Sequence, residues 1–146
     1  MSTKQEFVDI RVTPIDEEYM YVGDVIISQT DLKGVIVYAN RMFCDTSGYK
    51  ASELSGKSHN IIRHPDMPKA VFEKMWDTIK SGQSWNGLVK NMRKDGLYYW
   101  VDTEILPLVD ANDKVTGYIA ARKPASRTNI QETKEIHARM LKIEKS

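Results

Sequence analysis

Residues 58–72 concentrate side chains that could do chemistry. Two histidines, His59 and His64, stand five positions apart, and Arg63 and Asp66 lie beside the second. This mixture of imidazole, guanidinium and carboxylate could ligate a metal, serve as acid and base, or bind an anionic cofactor. A turn before a helix is the simpler interpretation, because Asp66 can cap a following helix with its carboxylate.

Metal and nucleophile chemistry have little support in the sequence. Structural zinc needs four convergent ligands, and Cys44 is the one cysteine of the chain. A pair of Cys44 with a histidine would also need an oxyanion hole and an orienting acid, which no pattern supplies. The phosphate-binding motifs GxxxxGK[ST] and GxGxxG are missing from the sequence. We therefore expect no catalytic residues, and favour anion binding by an arginine beside a helix N-terminus.

Length and charge exclude several broad classes of protein. The chain has 146 residues, about one domain, with 21 basic and 20 acidic side chains and a net charge of +1. Such a balance gives no reason to expect binding to nucleic acid or to a membrane surface. The N-terminus lacks the apolar core of a secretory signal, and no apolar run is long enough to cross a bilayer. A single cysteine suits a reducing compartment, so we expect a cytoplasmic protein.

Hydrophobic periodicity and turn residues predict an α+β fold with an antiparallel sheet. The predicted order is two strands, short helices, a long amphipathic helix and three strands, without parallel βαβ alternation. The strand segments are Val25–Thr30, Val35–Tyr38, 84–96, 97–110 and 114–123. Asn40 should cap a short helix over Arg41–Ser47 that ends at Gly48. Helices are expected to pack on one face of the sheet.

Composition divides the chain into three parts: an N-terminal cap (1–22), a central domain (23–125) and a C-terminal helix (126–146). A T-x-x-Q capping box at Thr128–Gln131 should begin that helix. Its apolar residues at i, i+4 and i+7 are Ile136, Met140 and Ile143. This narrow stripe suits a partner helix or a dimer seam, and a tail packed weakly on the domain explains it equally well.

Alternation along the strands identifies one polar residue on an apolar face. The more apolar face carries Trp85, Gly87, Val89 and Asn91 on one strand and Tyr99, Val101, Thr103 and Ile105 on the next. Asn91 is unusual on this face because its side-chain amide is polar, and a buried amide must be hydrogen-bonded. Its partner would be backbone across the sheet or the polar edge of a ligand. Gly87 leaves room beside Trp85 for a close backbone approach or a flat ligand.

Four segments together resemble the PAS domain family over about residues 24–126. They are VIVYANRMFCDTSGY, ELSGKSHNIIRHPDMPKAVFEKMW, GQSWNGLVKNMRKDGLYYWV and GYIAARKPAS. HNIIRHPDMP with KNxRKDGxxYWV is similar, more narrowly, to the FAD-binding sensors of bacterial aerotaxis receptors. These include small stand-alone sensors that work beside a separate membrane chemoreceptor. The resemblance implies a five-stranded antiparallel sheet with helices on one face.

The resemblance also implies a set of FAD-binding residues: Arg63, His64, Asp66, Trp85, Asn91, His59 and Asn40. The first three match an RHPD cofactor motif, Trp85 matches a tryptophan beside the flavin, and Asn91 an amide at the isoalloxazine edge. His59 and Asn40 match positions tied to FAD retention. Light-sensing flavin domains carry a cysteine in GxNCRFLQ where this chain reads GKSHN. Adduct photochemistry is therefore not expected.

The function implied is redox or oxygen sensing for energy taxis, with no substrate turned over. The expected partner is a membrane chemoreceptor or its signalling domain, and a homodimer is a further possibility. Two alternatives remain open at this stage. One is a haem gas sensor with His59 or His64 as axial ligand, and the other is a cofactor-free interaction module.

Overall fold

A computed structural model describes residues 12–146 as one antiparallel sheet with helices on both of its faces. The strands are β1 (Ile26–Thr30), β2 (Ile36–Ala39), β3 (Trp85–Met92), β4 (Tyr98–Val109) and β5 (Val115–Pro124). The helices are α1 (Arg41–Ser47), α2 (Ala51–Leu54), α3 (Lys69–Lys80) and α4 (Arg127–Lys145), with a 3₁₀ turn at His59–Ile62. The strand order β2-β1-β5-β4-β3 confirms the predicted α+β class.

The strand pairing confirms the predicted face of the sheet. Trp85 lies opposite Ile105, Val89 opposite Val101, and Asn91 opposite Tyr99. We call this the inner face, because it packs on a core formed with the helices and the 3₁₀ turn. Fully buried members of that core are Phe43, Leu54, Ile62, Tyr99 and Val101.

Local capping fixes α1 where the sequence predicts it. The Asn40 side chain accepts a hydrogen bond from the Phe43 N–H at 2.9 Å. Gly48 follows the helix in the left-handed conformation and donates its N–H to the Cys44 carbonyl at 2.9 Å. Both ends of the helix are thus closed by residues next to it in sequence.

The N-terminus of the long helix α3 is not capped by Asp66, the residue that the sequence suggests. Pro68 is its N-cap and provides no side-chain hydrogen bond. The Asp66 carboxylate accepts from the Lys90 ammonium at 3.1 Å instead, so the interpretation of Asp66 as the cap is wrong. The carboxylate of Glu144, from the end of α4, bonds the first N–H groups of α3.

The C-terminal helix α4 lies on the outer face of the sheet. Ser126, rather than Thr128, caps it by accepting from the Asn129 N–H at 3.1 Å. Its His137 ring stacks on Trp100 of β4 with 6.1 Å between ring centroids. Ile136 and Ile143, of the predicted apolar stripe, are 48% and 73% exposed.

The N-terminal segment runs beside the start of β4. Residues 1–11 of the predicted cap (1–22) lie outside the described residues. Of the remainder, Tyr19 donates its N–H to the Tyr98 carbonyl at 2.7 Å. Glu18 forms two hydrogen bonds with the Arg127 guanidinium, at 2.7 and 2.8 Å. The segment therefore touches both the sheet and α4, while the three-part division of the chain stays a prediction.

Gly96, in the β3–β4 turn, offers a test of this N-terminal packing. Its φ is +96°, and an added Cβ would lie 2.5 Å from the Thr13 carbonyl oxygen. Gly82 has a similar φ of +89° with open space around it. Gly96→Ala should therefore lose about 1–3 kcal/mol more unfolding free energy than Gly82→Ala. Urea denaturation of both variants checks this, and equal losses would contradict the packing of residue 13 on the turn.

Candidate functional site

A cavity lies between the inner face of the sheet and helix α3. Its empty space, which includes open solvent, is about 710 Å³. The sheet contributes residues from β1, β3, β4 and β5, and the 3₁₀ segment closes one side. The cavity thus lies against the inner face of the sheet, where it is lined by Asn91.

The wall formed by α3 is apolar and aromatic. Phe72, Met75, Trp76 and Ile79 follow the i, i+3, i+4, i+7 spacing of one helix face and line the cavity. The Trp76 ring meets Tyr118 of β5 edge-on, with 5.7 Å between centroids. Such a wall suits a flat, largely apolar ring system.

Arg122 of β5 is the polar centre of the cavity, and the sequence interpretation missed it. Its side chain is 4% exposed. Its Nη2 donates to His59 Nε2 at 2.7 Å and to Ser28 Oγ at 3.1 Å. Because a guanidinium only donates, His59 Nε2 must be an unprotonated acceptor, and the imidazole is neutral.

The Arg122 charge lacks a carboxylate within ion-pair distance among residues 12–146. Burial lowers the pKa of Arg122 to about 10, against opposing effects of Tyr99 and Tyr21, so the group stays charged at neutral pH. Its Nη1 is buried without a hydrogen-bond partner in the described chain, and so is the Thr103 hydroxyl directly across the sheet. Buried donors of this kind normally have partners. The site therefore suits an electron-rich or anionic acceptor.

Strand alternation could have found Arg122. Tyr118, Ala120 and Arg122 share the inner face of β5 and all line the cavity. A buried arginine on that face needs polar partners, as the buried Asn91 amide does. Strand alternation therefore singles out both residues.

Three of the predicted cofactor residues line the cavity together: His59, Arg63 and Asn91. Arg63 pairs with Asn91 through backbone at the free edge of β3, and its guanidinium lies 4.1 Å from the centre of the Phe72 ring. Asn91 is 4% exposed. Burial raises the pKa of Tyr99, and a hydrogen bond with the Asn91 amide is among the influences opposing that rise.

Asn40 and Trp85 do not contribute to the cavity lining in this structure. The Asn40 side chain caps α1 and donates to the Val25 carbonyl at 3.0 Å. The Trp85 indole lies over Gly87, where an added Cβ would be 2.7 Å from the ring. The indole therefore fills the room that Gly87 leaves, and a role of these residues in FAD binding stays a prediction.

His64 and Asp66 also lie away from the cavity lining. His64 is buried, and its Nδ1 accepts from the Asp66 N–H at 3.0 Å. Burial, with help from Lys90, lowers the pKa of His64. The ring is neutral, so its 3.9 Å approach to the Asp66 carboxylate is not an ion pair. The hydrogen bond between His64 and Asp66 lies within the turn before α3. A role of these two residues in FAD binding stays a prediction.

His59 should make stability depend on pH. Burial, with a further contribution from Arg122, lowers the pKa of His59 from 6.5 to about 3. Between pH 6.5 and about 3, the unfolded chain carries a proton on His59 that the folded protein does not. The His59 contribution to stability is therefore full above pH 6.5 and falls as the pH falls below that value. The slope is up to about 1.4 kcal/mol per pH unit. In His59→Gln, whose amide oxygen can still accept from Arg122, this slope should be lost.

Urea unfolding at roughly pH 7, 6 and 5 measures the slope for both proteins, and the difference between them removes the contributions of His64 and His137. Parallel curves would contradict a neutral His59 held by Arg122.

Comparison with known proteins identifies the family. The chain belongs to the PAS family, because the family model described as "PAS fold" matches residues 36–122. The chain is 44% identical over 112 residues to the aerotaxis receptor of Escherichia coli (strain K12), covering 77% of this chain and 22% of that receptor. It therefore spans about a fifth of the receptor's length.

Solved structures agree with the assignment of the fold. A PAS domain from Colwellia psychrerythraea superposes with a TM-score of 0.65 at 20% identity, covering 70% of this chain and 87% of that one. A Light-Oxygen-Voltage domain studied with a flavin analogue gives 0.63 at 25% identity, covering 84% and 86%. Within residues 12–146, no helix has both the length and the apolar composition needed to span a membrane.

Proposed function

We propose that the chain is an FAD-binding PAS sensor that reports redox state or oxygen for energy taxis. The observation that carries the proposal is the buried Arg122 cation, whose Nη1 has no partner among residues 12–146 beside the equally unpartnered Thr103 hydroxyl. Both face a cavity with an aromatic wall. A flavin offers a flat ring with carbonyl and nitrogen acceptors on one edge. The similarity to the aerotaxis receptor and to a flavin-studied domain supports the same choice.

The cofactor would supply the redox chemistry, since no side chain in the cavity does so. Asn91 and Arg122 would hold its polar edge from two strands of the sheet. Arg63 stands where the cavity meets an open groove. Lys69 and Lys80 also line this groove, together with Glu73 and Asp77. The Arg63 guanidinium at this opening suits a diphosphate arm, and therefore FAD rather than a shorter flavin.

Two residues would convert the redox state into a structural change. Arg122 favours the more negative form of whatever it contacts, because its own charge is buried and no carboxylate of residues 12–146 pairs with it. The Asn91 amide must reorient when an acceptor at the ring edge becomes a donor. A buried mismatch of this kind costs about 1–3 kcal/mol, enough to shift a two-state element.

A haem sensor is the weaker alternative. An axial histidine must present a free ring nitrogen, and His59 Nε2 already accepts from Arg122 at 2.7 Å. His64 uses Nδ1 to accept from the Asp66 N–H, and it lies away from the cavity lining. The cofactor-free alternative leaves the Arg122 Nη1 and Thr103 hydroxyl donors without partners among residues 12–146.

Ligand titration tests the proposal. Ligand-free protein is titrated separately with FAD, FMN and haemin, following flavin fluorescence or haem absorbance. We expect FAD to bind most tightly, and Arg63→Ala to weaken FAD binding by about 10- to 150-fold, the range for a hydrogen bond to a charged group. Arg139→Ala, on the exposed side of α4, is the matched control. Preference for haemin, or binding of neither flavin, would contradict the proposal.

The biological setting is part of the same proposal. The chain acts as a cytoplasmic input subunit without catalytic activity, and a membrane chemoreceptor or its signalling domain is the partner. The exposed stripe on α4 and the part of the outer sheet face that α4 leaves uncovered are the surfaces available for that contact or for a homodimer.

A further inference from the structure

The last turn of α4 is bonded to the first turn of α3. Glu144 Oε1 accepts from the Lys69 N–H at 3.1 Å, and Oε2 accepts from the Ala70 N–H at 3.0 Å. The first N–H groups of a helix have no partner within the helix, and Pro68 offers no side-chain cap. The cap of α3 therefore comes from a residue 75 positions away in sequence.

The helix that receives this cap is the wall of the cavity. Phe72, Met75, Trp76 and Ile79 project from α3 into it, and the Glu144 contact begins three residues before the first of them. Any movement of α3 that opens or closes the cavity must carry Lys69 and Ala70 with it. Because both oxygens of one carboxylate are used, a shift of α3 strains both hydrogen bonds at once.

The other anchors of α4 belong to different parts of the molecule. Arg127, in its first turn, pairs with Glu18 of the N-terminal segment. Ile130 is buried, and His137 stacks on Trp100 of the sheet. The Arg127 and His137 contacts are therefore made with the N-terminal segment and the sheet rather than with α3. Glu144 thus joins the last turn of α4 to the first turn of α3.

We propose that Glu144 is a reversible latch that couples closure of the cavity by α3 to docking of the last turn of α4. A carboxylate at a helix N-terminus is favoured by the helix dipole. The residue is exposed, so water competes for both partners and the contact can open. The hydrogen bonds from Ala70 and Lys69 lower the pKa of Glu144, so the latch is ionised at neutral pH. Its use in signalling rests on the proposed sensor function, whereas the contact itself does not.

The test is amide hydrogen exchange by NMR on the full chain, comparing wild type with Glu144→Ala. In ligand-free protein the Lys69 and Ala70 amide signals should shift in the variant. Exchange should rise about 2- to 30-fold in the first turn of α3, the range for loss of an N-cap, and should rise in the last turn of α4 as well. Glu135→Ala, an exposed glutamate on the same helix, should leave both regions unchanged.

Two results in the ligand-free protein would overturn the latch. Unchanged signals for Lys69 and Ala70 would show that the contact does not form. Faster exchange in α3 without any change in α4 would reduce Glu144 to a simple cap.

The signalling role is tested separately in protein loaded with FAD. Exchange in the last turn of α4 should differ between the oxidised protein and the dithionite-reduced protein, and this difference should disappear in Glu144→Ala. Identical exchange in both states, with flavin absorbance showing full occupancy, would exclude the latch from signalling. If FAD does not bind, the proposed function fails, and the ligand-free comparison still decides whether the latch exists.

Discussion

Arg122→Leu should weaken FAD binding by about 10- to 150-fold, the range for a hydrogen bond to a charged group. The same change should leave the stability of the ligand-free protein unchanged or raise it, because it removes a buried charge that no carboxylate in the described part of the chain pairs with. His59 Nε2 and Ser28 Oγ remain 3.3 Å apart and can bond each other. The midpoint potential of any flavin that still binds should fall, since a nearby positive charge favours reduction.

Arg122→Leu should thus weaken FAD binding without lowering the stability of the ligand-free protein, so both quantities are measured. Fluorescence titration gives the affinity for FAD, and thermal unfolding of the ligand-free protein gives the stability. Lys123→Leu, the exposed neighbour on β5, is the control and should change neither. An Arg122→Leu protein that binds FAD normally but unfolds more easily would show that Arg122 only supports the fold.

Phe43→Ala should cost about 3–5 kcal/mol of unfolding free energy, the usual range for a fully buried phenylalanine. Phe43 is 0% exposed. Its ring packs against His59, with 5.7 Å between centroids, and lies 5.3 Å from the Arg122 guanidinium carbon. The variant should therefore also loosen the pair that forms the polar centre of the cavity.

Urea denaturation measures the stability of this variant, and FAD titration under conditions where it stays folded measures the site. Phe43→Leu keeps most of the volume and should lose under about 1.5 kcal/mol. A Phe43→Ala protein of near wild-type stability would contradict the position of Phe43 in the core.

Much of the fold follows from signals that are local in sequence. Asn40 and Gly48 close α1 at both ends, and the Lys94-Asp95-Gly96 turn sets the pairing of β3 with β4. Alternation along β3 correctly places Asn91 on the buried face. These features depend on neighbours within a few residues, so the sequence contains what is needed to predict them.

The remaining features depend on contacts between distant segments. Asp66 has the right type and position to cap α3, yet Lys90 takes its carboxylate and Glu144 supplies the cap. Alternation along β5 can place Arg122 on the inner face, but its contact with His59, 63 positions away, depends on the folded sheet. Local patterns give candidate residues, while the tertiary packing decides which of them meet.

The visible spectrum of the protein purified without added cofactor tests the central claim most directly. It is recorded before and after dithionite, and the supernatant after heat release is examined for the free cofactor. We expect two flavin bands that bleach on reduction, and FAD in the supernatant. A single intense Soret band, or a protein that stays colourless after incubation with FAD, would contradict the assignment of this cavity to a flavin.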